Sequence, residues 1–343
     1  MPSPQATVII PTLEGGENLQ QCLRALGAQT FPDFELIVVD NSGTRVAAPL
    51  VAGSGARLIE NRENAGFGAA VNQGIAAARG EFVCTLNDDA FPDPRWLEEI
   101  VRACRSGAAL GMCASQIRLT EYPERLDSAG MQIYLDGSSK QRGWMAPAAE
   151  FGASGEVLFP SACAALYRRA MLDQVGWFDA GFFLYCEDTD LGLRAQRAGW
   201  RCLYVPSAVV YHRYSGSAGR ASAAKAFYVE RNRLYVVIKN FPLWIWPAIP
   251  GFSLARYAMH LWGVATGRGL AAEFQRNGEK WWKLAIIVLS ANFQALRNLP
   301  RLLAKRRAMA KLAGMSGGAF WRLLRRHSIS ARELALQGGG RET

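Results

Sequence analysis

Three places in the chain gather side chains able to hold a cation or move a proton. Asn87-Asp88-Asp89 follows a short apolar run, Glu187-Asp188-Thr189-Asp190 opens a helical pattern, and His212 is one of three histidines. Carboxylates are hard oxygen donors, suited to Mg²⁺ or Mn²⁺ together with phosphate oxygens from a substrate. Taken alone, Asn87-Asp88-Asp89 also fits an ordinary Asp-rich turn. A carboxylate at a helix start is favoured by capping and by the helix dipole. That accounts for one acid of the second group and not for three. Asp190 and Arg194 are four apart on a helix and can pair, which leaves Asp188 to face a cleft.

The elements that must position these residues alternate between strand and helix patterns. Thr7–Pro11, Leu36–Asp40, Arg57–Glu60 and Glu81–Leu86 read as strands, and Asn18–Ala28 and Gly68–Ala78 as helices. Such alternation predicts a mainly parallel sheet with helices on both faces. Ligands then bind beyond the carboxyl ends of the strands, at Pro11-Thr12, Asp40 and Asn87-Asp88-Asp89. Residues 111–170 read as mixed strands and loops over the site. Leu191–Ala198 reads as a helix ended by Gly199, and Cys202–Val205 and Val209–His212 as two strands separated by Pro206-Ser207. No G-x-G-x-x-G follows the first strand, which argues against a dinucleotide-binding oxidoreductase.

Charge divides the chain. Residues 1–212 hold 17 Lys/Arg and 24 Asp/Glu, whereas residues 213–343 hold 22 and 5. This predicts a domain over 1–215 and a basic, apolar, amphipathic helical region over 216–343. The basic residues flank tryptophan-rich stretches, Phe241–Ile249 and Trp281–Leu289. That mixture suits an anionic membrane surface better than nucleic acid. No stretch is long enough to span a bilayer. The alternative is helical packing on the core or on a second subunit, giving a homodimer. The seven cysteines are scattered, with no C-x-x-C pair, and read as buried apolar residues of a reducing compartment. The N-terminus has no secretory pattern, so the expected location is cytoplasmic, peripheral at the inner face of the cell membrane.

In order along the chain stand Val8-Ile9-Ile10-Pro11-Thr12 with Glu14, and Val38-Val39-Asp40-Asn41-Ser42. Asn64-Ala65-Gly66-Phe67 through Asn72-Gln73-Gly74 follows, then Asn87-Asp88-Asp89. Last come Gly176-Trp177-Phe178-Asp179, Glu187-Asp188-x-Asp190-Leu191, Arg194, Gly199 and His212. In these pieces the chain resembles glycosyltransferase family 2, inverting enzymes with a GT-A (Rossmann-like) fold, and within it the rhamnosyltransferase-like branch. The resemblance implies a nucleotide-diphosphate sugar donor and a divalent metal, Mn²⁺ or Mg²⁺. By it, Pro11, Thr12, Glu14, Asp40, Asn64, Gly66, Phe67, Asn72, Asn87 and Asp88 bind the donor, with Gly66 letting backbone approach it. Asp89 and His212 hold the metal, and Asp188 is the general base. Trp177 and Glu187 meet the acceptor, beside Phe178, Phe182, Phe183 and Tyr185 as an aromatic wall. One departure is Asn87, where the family's D-x-D motif begins with Asp. The basic tail adds the expectation of a lipid-linked or polysaccharide acceptor in cell-envelope synthesis. Two rivals are a non-catalytic membrane scaffold with this fold and a sugar-phosphate nucleotidyltransferase. The latter lacks its Gly-rich loop after the first strand.

Overall fold

The computed structural model describes residues 3–213, 222–276 and 282–336. The expected domain boundary at 215/216 and Trp281 therefore lie outside the described residues. Two compact units are present, one of residues 1–131 and 141–216 and the other of 132–140 and 217–343. The excursion of 132–140 into the second unit has no counterpart in the sequence reading, because a nine-residue hairpin carries no shift in composition.

The strands are β1 (Ala6–Thr12), β2 (Phe34–Asp40), β3 (Arg57–Glu60), β4 (Phe82–Leu86), β5 (Ala90–Pro92) and β6 (Leu110–Leu119). They continue with β7 (Leu126–Ser128), β8 (Met131–Ile133), β9 (Ser139–Gln141), β10 (Gly155–Val157), β11 (Ala164–Arg168) and β12 (Arg201–His212). The first unit is built on a ten-stranded sheet, ordered β10-β12-β6-β11-β4-β1-β2-β3, with β5 added beside β12 and β7 beside β6. β4, β1, β2 and β3 are parallel, as are β6 and β12, while β11 runs antiparallel between β4 and β6. The central strands are apolar on both faces, with Val8, Ile9, Ile10, Val38 and Val39 fully buried, as strands covered by helices on both sides must be.

Among the described residues, six α-helices belong to this unit: α1 (Gly16–Gly27), α2 (Ala48–Val51), α3 (Phe67–Ala77), α4 (Trp96–Arg105), α5 (Arg169–Val175) and α6 (Glu187–Arg197). α1 buries Leu19, Cys22 and Leu26 at helical spacing. The last two expected strands are one, β12, whose register shifts between Val205 and Val209. Pro206 removes a ladder donor there, and a bulge absorbs it. All seven cysteines are buried, and none is in a disulfide.

The second unit holds α7 (Ala223–Asn240), α8 (Ile249–Ala265), α9 (Gly269–Arg276), α10 (Trp282–Arg297), α11 (Leu299–Ala310), α12 (Gly317–Arg326) and α13 (Ala331–Leu336). Ser222 caps α7 by accepting from the Lys225 N–H at 3.2 Å. The 132–140 hairpin carries Asp136 into a buried ionic cluster. Arg256 Nε donates to Asp136 Oδ2 at 2.7 Å, and Arg256 Nη2 to Glu230 Oε2 at 2.8 Å. Arg233 Nε donates to Glu230 Oε1 at 2.9 Å. Among the described residues, no helix is long and apolar enough to cross a membrane.

Candidate active site

The carboxyl ends of β1 and β4 meet through side chains. Thr12, the last residue of β1, donates from Oγ1 to Asp88 Oδ2 at 2.5 Å. Asp88 is half-buried, and its pKa is pushed up to about 6, chiefly by burial; Asp89 and Glu14 add to the rise, while Thr12 opposes it. Asp88 and Asp89 turn to different partners. Asp88 faces Thr12, while Asp89 faces His212, with 3.2 Å between Asp89 Oδ1 and His212 Nε2.

That second contact has a topological cause. β5 begins immediately after Asp89 and pairs antiparallel with the end of β12, Ala90 opposite His212. Antiparallel pairing brings directly opposite residues to about 5 Å, so the D-x-D turn and His212 become neighbours across the sheet. His212 is gripped from its other side: its Nδ1 lies 2.6 Å from Asp127 Oδ2. Asp127 sits at a bulge of β7, since Ile117 and Arg118 of β6 oppose Ser128 and Leu126.

A short segment before β11 joins this group to the second acidic cluster. The Cys163 carbonyl accepts from the Asn87 N–H at 2.8 Å. The neighbouring Ala162 N–H donates to Asp188 Oδ2 at 3.3 Å. Asp188 Oδ1 also accepts from the Thr189 N–H at 2.6 Å. Asp190 is paired with Arg194 at 2.9 Å, and Arg194 also donates to the carbonyls of Val175, Gly176 and Trp177. This arginine staples the loop that precedes the acids, while Asp188 remains half-buried at the start of α6. Phe183, Tyr185 and Cys186 all have positive φ, 64°, 69° and 66°. Such backbone costs about 1–3 kcal/mol per residue and collects at functional sites. Burial raises the pKa of Glu187, and the adjacent Asp188 charge raises it further. Burial raises that of Asp188 too, against the N–H donors of Ala162 and Thr189.

Several residues expected to touch the donor also hold segments of the protein in place. Asp40 is buried, with Oδ1 accepting from Ser42 and Oδ2 from the Ala47 N–H at 2.7 Å. It holds its own loop. Gly66 is required by the protein itself: at φ 85° an added Cβ would stand 2.5 Å from the Phe183 carbonyl oxygen. Asn72 bonds the Phe178 backbone twice, donating at 2.7 Å and accepting at 3.0 Å. Asn64 is exposed, and its Oδ1 accepts from Asn41 and from the Gly66 N–H, both at 2.9 Å. Of the aromatic wall, Phe178 and Phe182 are core, whereas Trp177, Phe183 and Tyr185 are half-buried. Pro11, Phe67 and Asn87 are half-buried and Glu14 is exposed.

Sequence reasoning missed Asp127, Ala162, Cys163 and Asn61, whose Nδ2 donates to Asn41 Oδ1 at 2.9 Å. They reach the site through pairing and loop return, for which a single sequence has no signal.

Asp89 and His212 fit a divalent cation. Asp89 Oδ1 is buried and accepts no hydrogen bond, a costly state for a carboxylate oxygen unless a positive group completes it. The 3.2 Å between it and His212 Nε2 suits two neighbouring ligands of an octahedral ion, which stand roughly 3 Å apart at about 2.1 Å from the metal. Among the described residues, no three His, Cys, Asp or Glu side chains form a complete metal-holding group. A cation held by these two would take its further ligands from substrate or water.

Comparison with known proteins gives this arrangement a class. The glycosyl transferase family 2 model matches residues 7–176. The N-acetylglucosaminyl-diphospho-decaprenol L-rhamnosyltransferase of Mycobacterium tuberculosis is 31% identical over 243 residues, 63% of this chain and 78% of that one. The chain belongs to glycosyltransferase family 2. It is a glycosyltransferase, similar to rhamnosyltransferase-like members of that family. Its fold is that of GT-A enzymes. It superposes with a TM-score of 0.51 on the mannosyltransferase PcManGT of Pyrobaculum calidifontis, solved with GDP-Man and Mn²⁺, at 18% identity over 90% of this chain and 87% of that one. With residues 1–349 of TarS from S. aureus the TM-score is 0.52, at 16% identity over 89% of this chain and 91% of that one.

Proposed function

We propose that this enzyme transfers a sugar from a nucleoside-diphosphate donor to a hydroxyl of a lipid-linked saccharide, inverting the anomeric carbon. The observation that carries the reading is the orphaned Asp89 Oδ1 beside His212 Nε2, tied through Asn87, Cys163 and Ala162 to Asp188. The rhamnosyl and diphospho-decaprenol parts of the mycobacterial relative's name make rhamnose and a polyprenyl-diphosphate saccharide the first pair to test.

Pro11, Thr12, Glu14, Phe67, Asn87 and Asp88 line the donor side, while Asp40, Asn64, Gly66 and Asn72 hold the loops that shape it. Asp89 and His212 would hold Mn²⁺ or Mg²⁺ on the side of the donor diphosphate. When bound, the cation neutralises charge on the departing diphosphate. The acceptor hydroxyl oxygen attacks the sugar C1 from the face opposite the nucleotide, and Asp188 takes the hydroxyl proton. Holding the two substrates in line supplies much of the acceleration. Glu187, kept protonated by burial and by Asp188, donates a hydrogen bond to the acceptor, and Trp177 offers it a half-buried ring.

A lipid-linked acceptor requires a membrane surface, and the second unit offers one. On α10, Trp282, Ile286, Leu289, Phe293 and Leu296 are exposed at spacings of three and four, which makes one apolar stripe. α10 and α11 carry no acidic residue, while Lys283, Arg297, Arg301, Lys305, Arg306 and Arg307 lie along them. An apolar face beside cations suits an anionic leaflet, and the proposed workplace is the inner face of the cell membrane. A non-catalytic scaffold needs neither the orphaned carboxylate nor the raised acidic pair.

The test is calorimetric titration of UDP, dTDP and GDP into the full chain, with and without Mn²⁺, repeated on Asp89→Ala. Metal-dependent binding of one nucleotide that the variant loses supports the reading. Folded protein that binds none of the three sinks it.

A further inference from the structure

We infer that Asp127 is a positioning residue for the cation, acting through His212. The inference rests on the proposed role of Asp89 and His212, and it adds a residue that none of the motifs contains.

Asp127 is 3% exposed, and its Oδ2 stands 2.6 Å from His212 Nδ1. An ionised carboxylate can only accept, so the ring nitrogen facing it carries the proton. The opposite contact differs in kind. His212 Nε2 is 3.2 Å from Asp89 Oδ1, yet that oxygen accepts no hydrogen bond. When the ring gives up one proton to bind a cation, the 2.6 Å contact to Asp127 keeps the other on Nδ1 and leaves Nε2, on the Asp89 side, as the ligand. A histidine that ligates a metal through one nitrogen while the other donates to a carboxylate is better oriented and more basic.

The fold is built to deliver this carboxylate. β7 pairs with β6, and the bulge opposite Ile117 and Arg118 leaves Asp127 as the extra residue of its strand. Bulges re-aim a side chain beside a site. The other Asp127 oxygen accepts from Gln141 Nε2 at 3.4 Å, which leaves the shorter contact to His212. Each residue of the line Asp127–His212–Asp89 thus comes from a different strand or strand end, and β6 lies between β7 and β12.

The test has two readouts on the full chain. In the metal-free protein, at a pH high enough for the ring to be neutral, ¹⁵N NMR of the ring nitrogens reports the tautomer of His212, resolvable because the chain has three histidines. Free Mn²⁺ measured by electron paramagnetic resonance gives the affinity of wild type, Asp127→Asn, Asp127→Ala, His212→Ala and the Asp127→Ala/His212→Ala double variant. The expected result is the Nδ1–H tautomer in wild type and in the isosteric Asp127→Asn, and its loss in Asp127→Ala. Mn²⁺ affinity is expected to fall about 10–100-fold in Asp127→Ala, less in Asp127→Asn, and no further in the double variant than in His212→Ala alone. An unchanged tautomer and affinity in folded Asp127→Ala overturns the inference, as do additive losses in the double variant. If His212→Ala leaves Mn²⁺ affinity unchanged, the metal site itself is refuted and the inference falls with it. Should Asp127→Ala not fold, Asp127→Asn decides: wild-type affinity there overturns the inference.

Discussion

Two adjacent carboxylates, Glu187 and Asp188, receive different roles from surroundings that differ by a few atoms. Asp188 accepts N–H bonds from Ala162 and Thr189, which favour its ionised form. Glu187 has a buried Oε2 with no partner, and its pKa is raised first by burial and then by Asp188. In the proposed mechanism the pair holds its proton on Glu187 near neutral pH and leaves Asp188 to act as the base. Asp188→Asn should lower kcat by about 10²–10⁴ with little change in nucleotide binding. Glu187→Gln, which copies the protonated acid, should keep most of the rate. Since burial raises the base as well, activity should fall with acidification above the ordinary carboxylate range. A rate–pH profile of wild type and Glu187→Gln checks this. Equal losses in the two variants would remove the division of roles.

Among the elements, the 132–140 hairpin depends on charge. Burial pushes the Glu230 pKa up, but Arg256 and then Arg233 outweigh it and hold it at about 2. Asp136 is lowered against its burial by the same two arginines. Both carboxylates thus bind protons more weakly in the folded state than in the unfolded chain, where such groups titrate near 4. Their stabilisation is fully present above about pH 4.5 and is lost as pH falls toward about 2. Asp136→Ala leaves Arg256 and Arg233 with a single carboxylate. It should cost about 3–5 kcal/mol at neutral pH and flatten the acid dependence of unfolding, as followed by calorimetry of the full chain. A variant curve that parallels wild type below pH 4.5 would free Asp136 of that role. The glycines act at this scale too: Gly66 exists so that the Phe183 carbonyl can accept from the Phe67 N–H at 2.8 Å.

At the scale of the whole molecule, an acidic catalytic half and a basic helical half share one chain. Leu289 and Phe293 are 70% and 68% exposed, so replacing both with Glu should leave stability nearly unchanged. Each apolar side chain contributes about 1.5–3 kcal/mol on burial. Binding to phosphatidylserine-containing vesicles should then weaken by about 10²-fold or more in the Leu289→Glu/Phe293→Glu variant. Wild-type binding should also fall with added salt. Co-sedimentation measures both. If the variant binds vesicles as wild type does, but a wild-type dimer becomes monomeric, the stripe seats a second copy instead.

Periodicity and residue type specify the parts of this protein whose signals are local. Strand and helix order, the strand ends carrying Thr12 and Asn87–Asp89, the acids at the head of α6 and the positive φ of Gly199, 96°, all follow from periodicity and residue type. So does the Asp190–Arg194 pair, set by helical spacing. Pairing between distant segments exists only in the folded chain. It set Ala90 opposite His212, delivered Asp127 from a bulge, and joined β12 across Pro206 into one strand. It also gave Asp40, Gly66 and Asn72 contacts that hold their loops. A side chain's type states which bonds it can make, and only the folded backbone states which partner is near enough to make them.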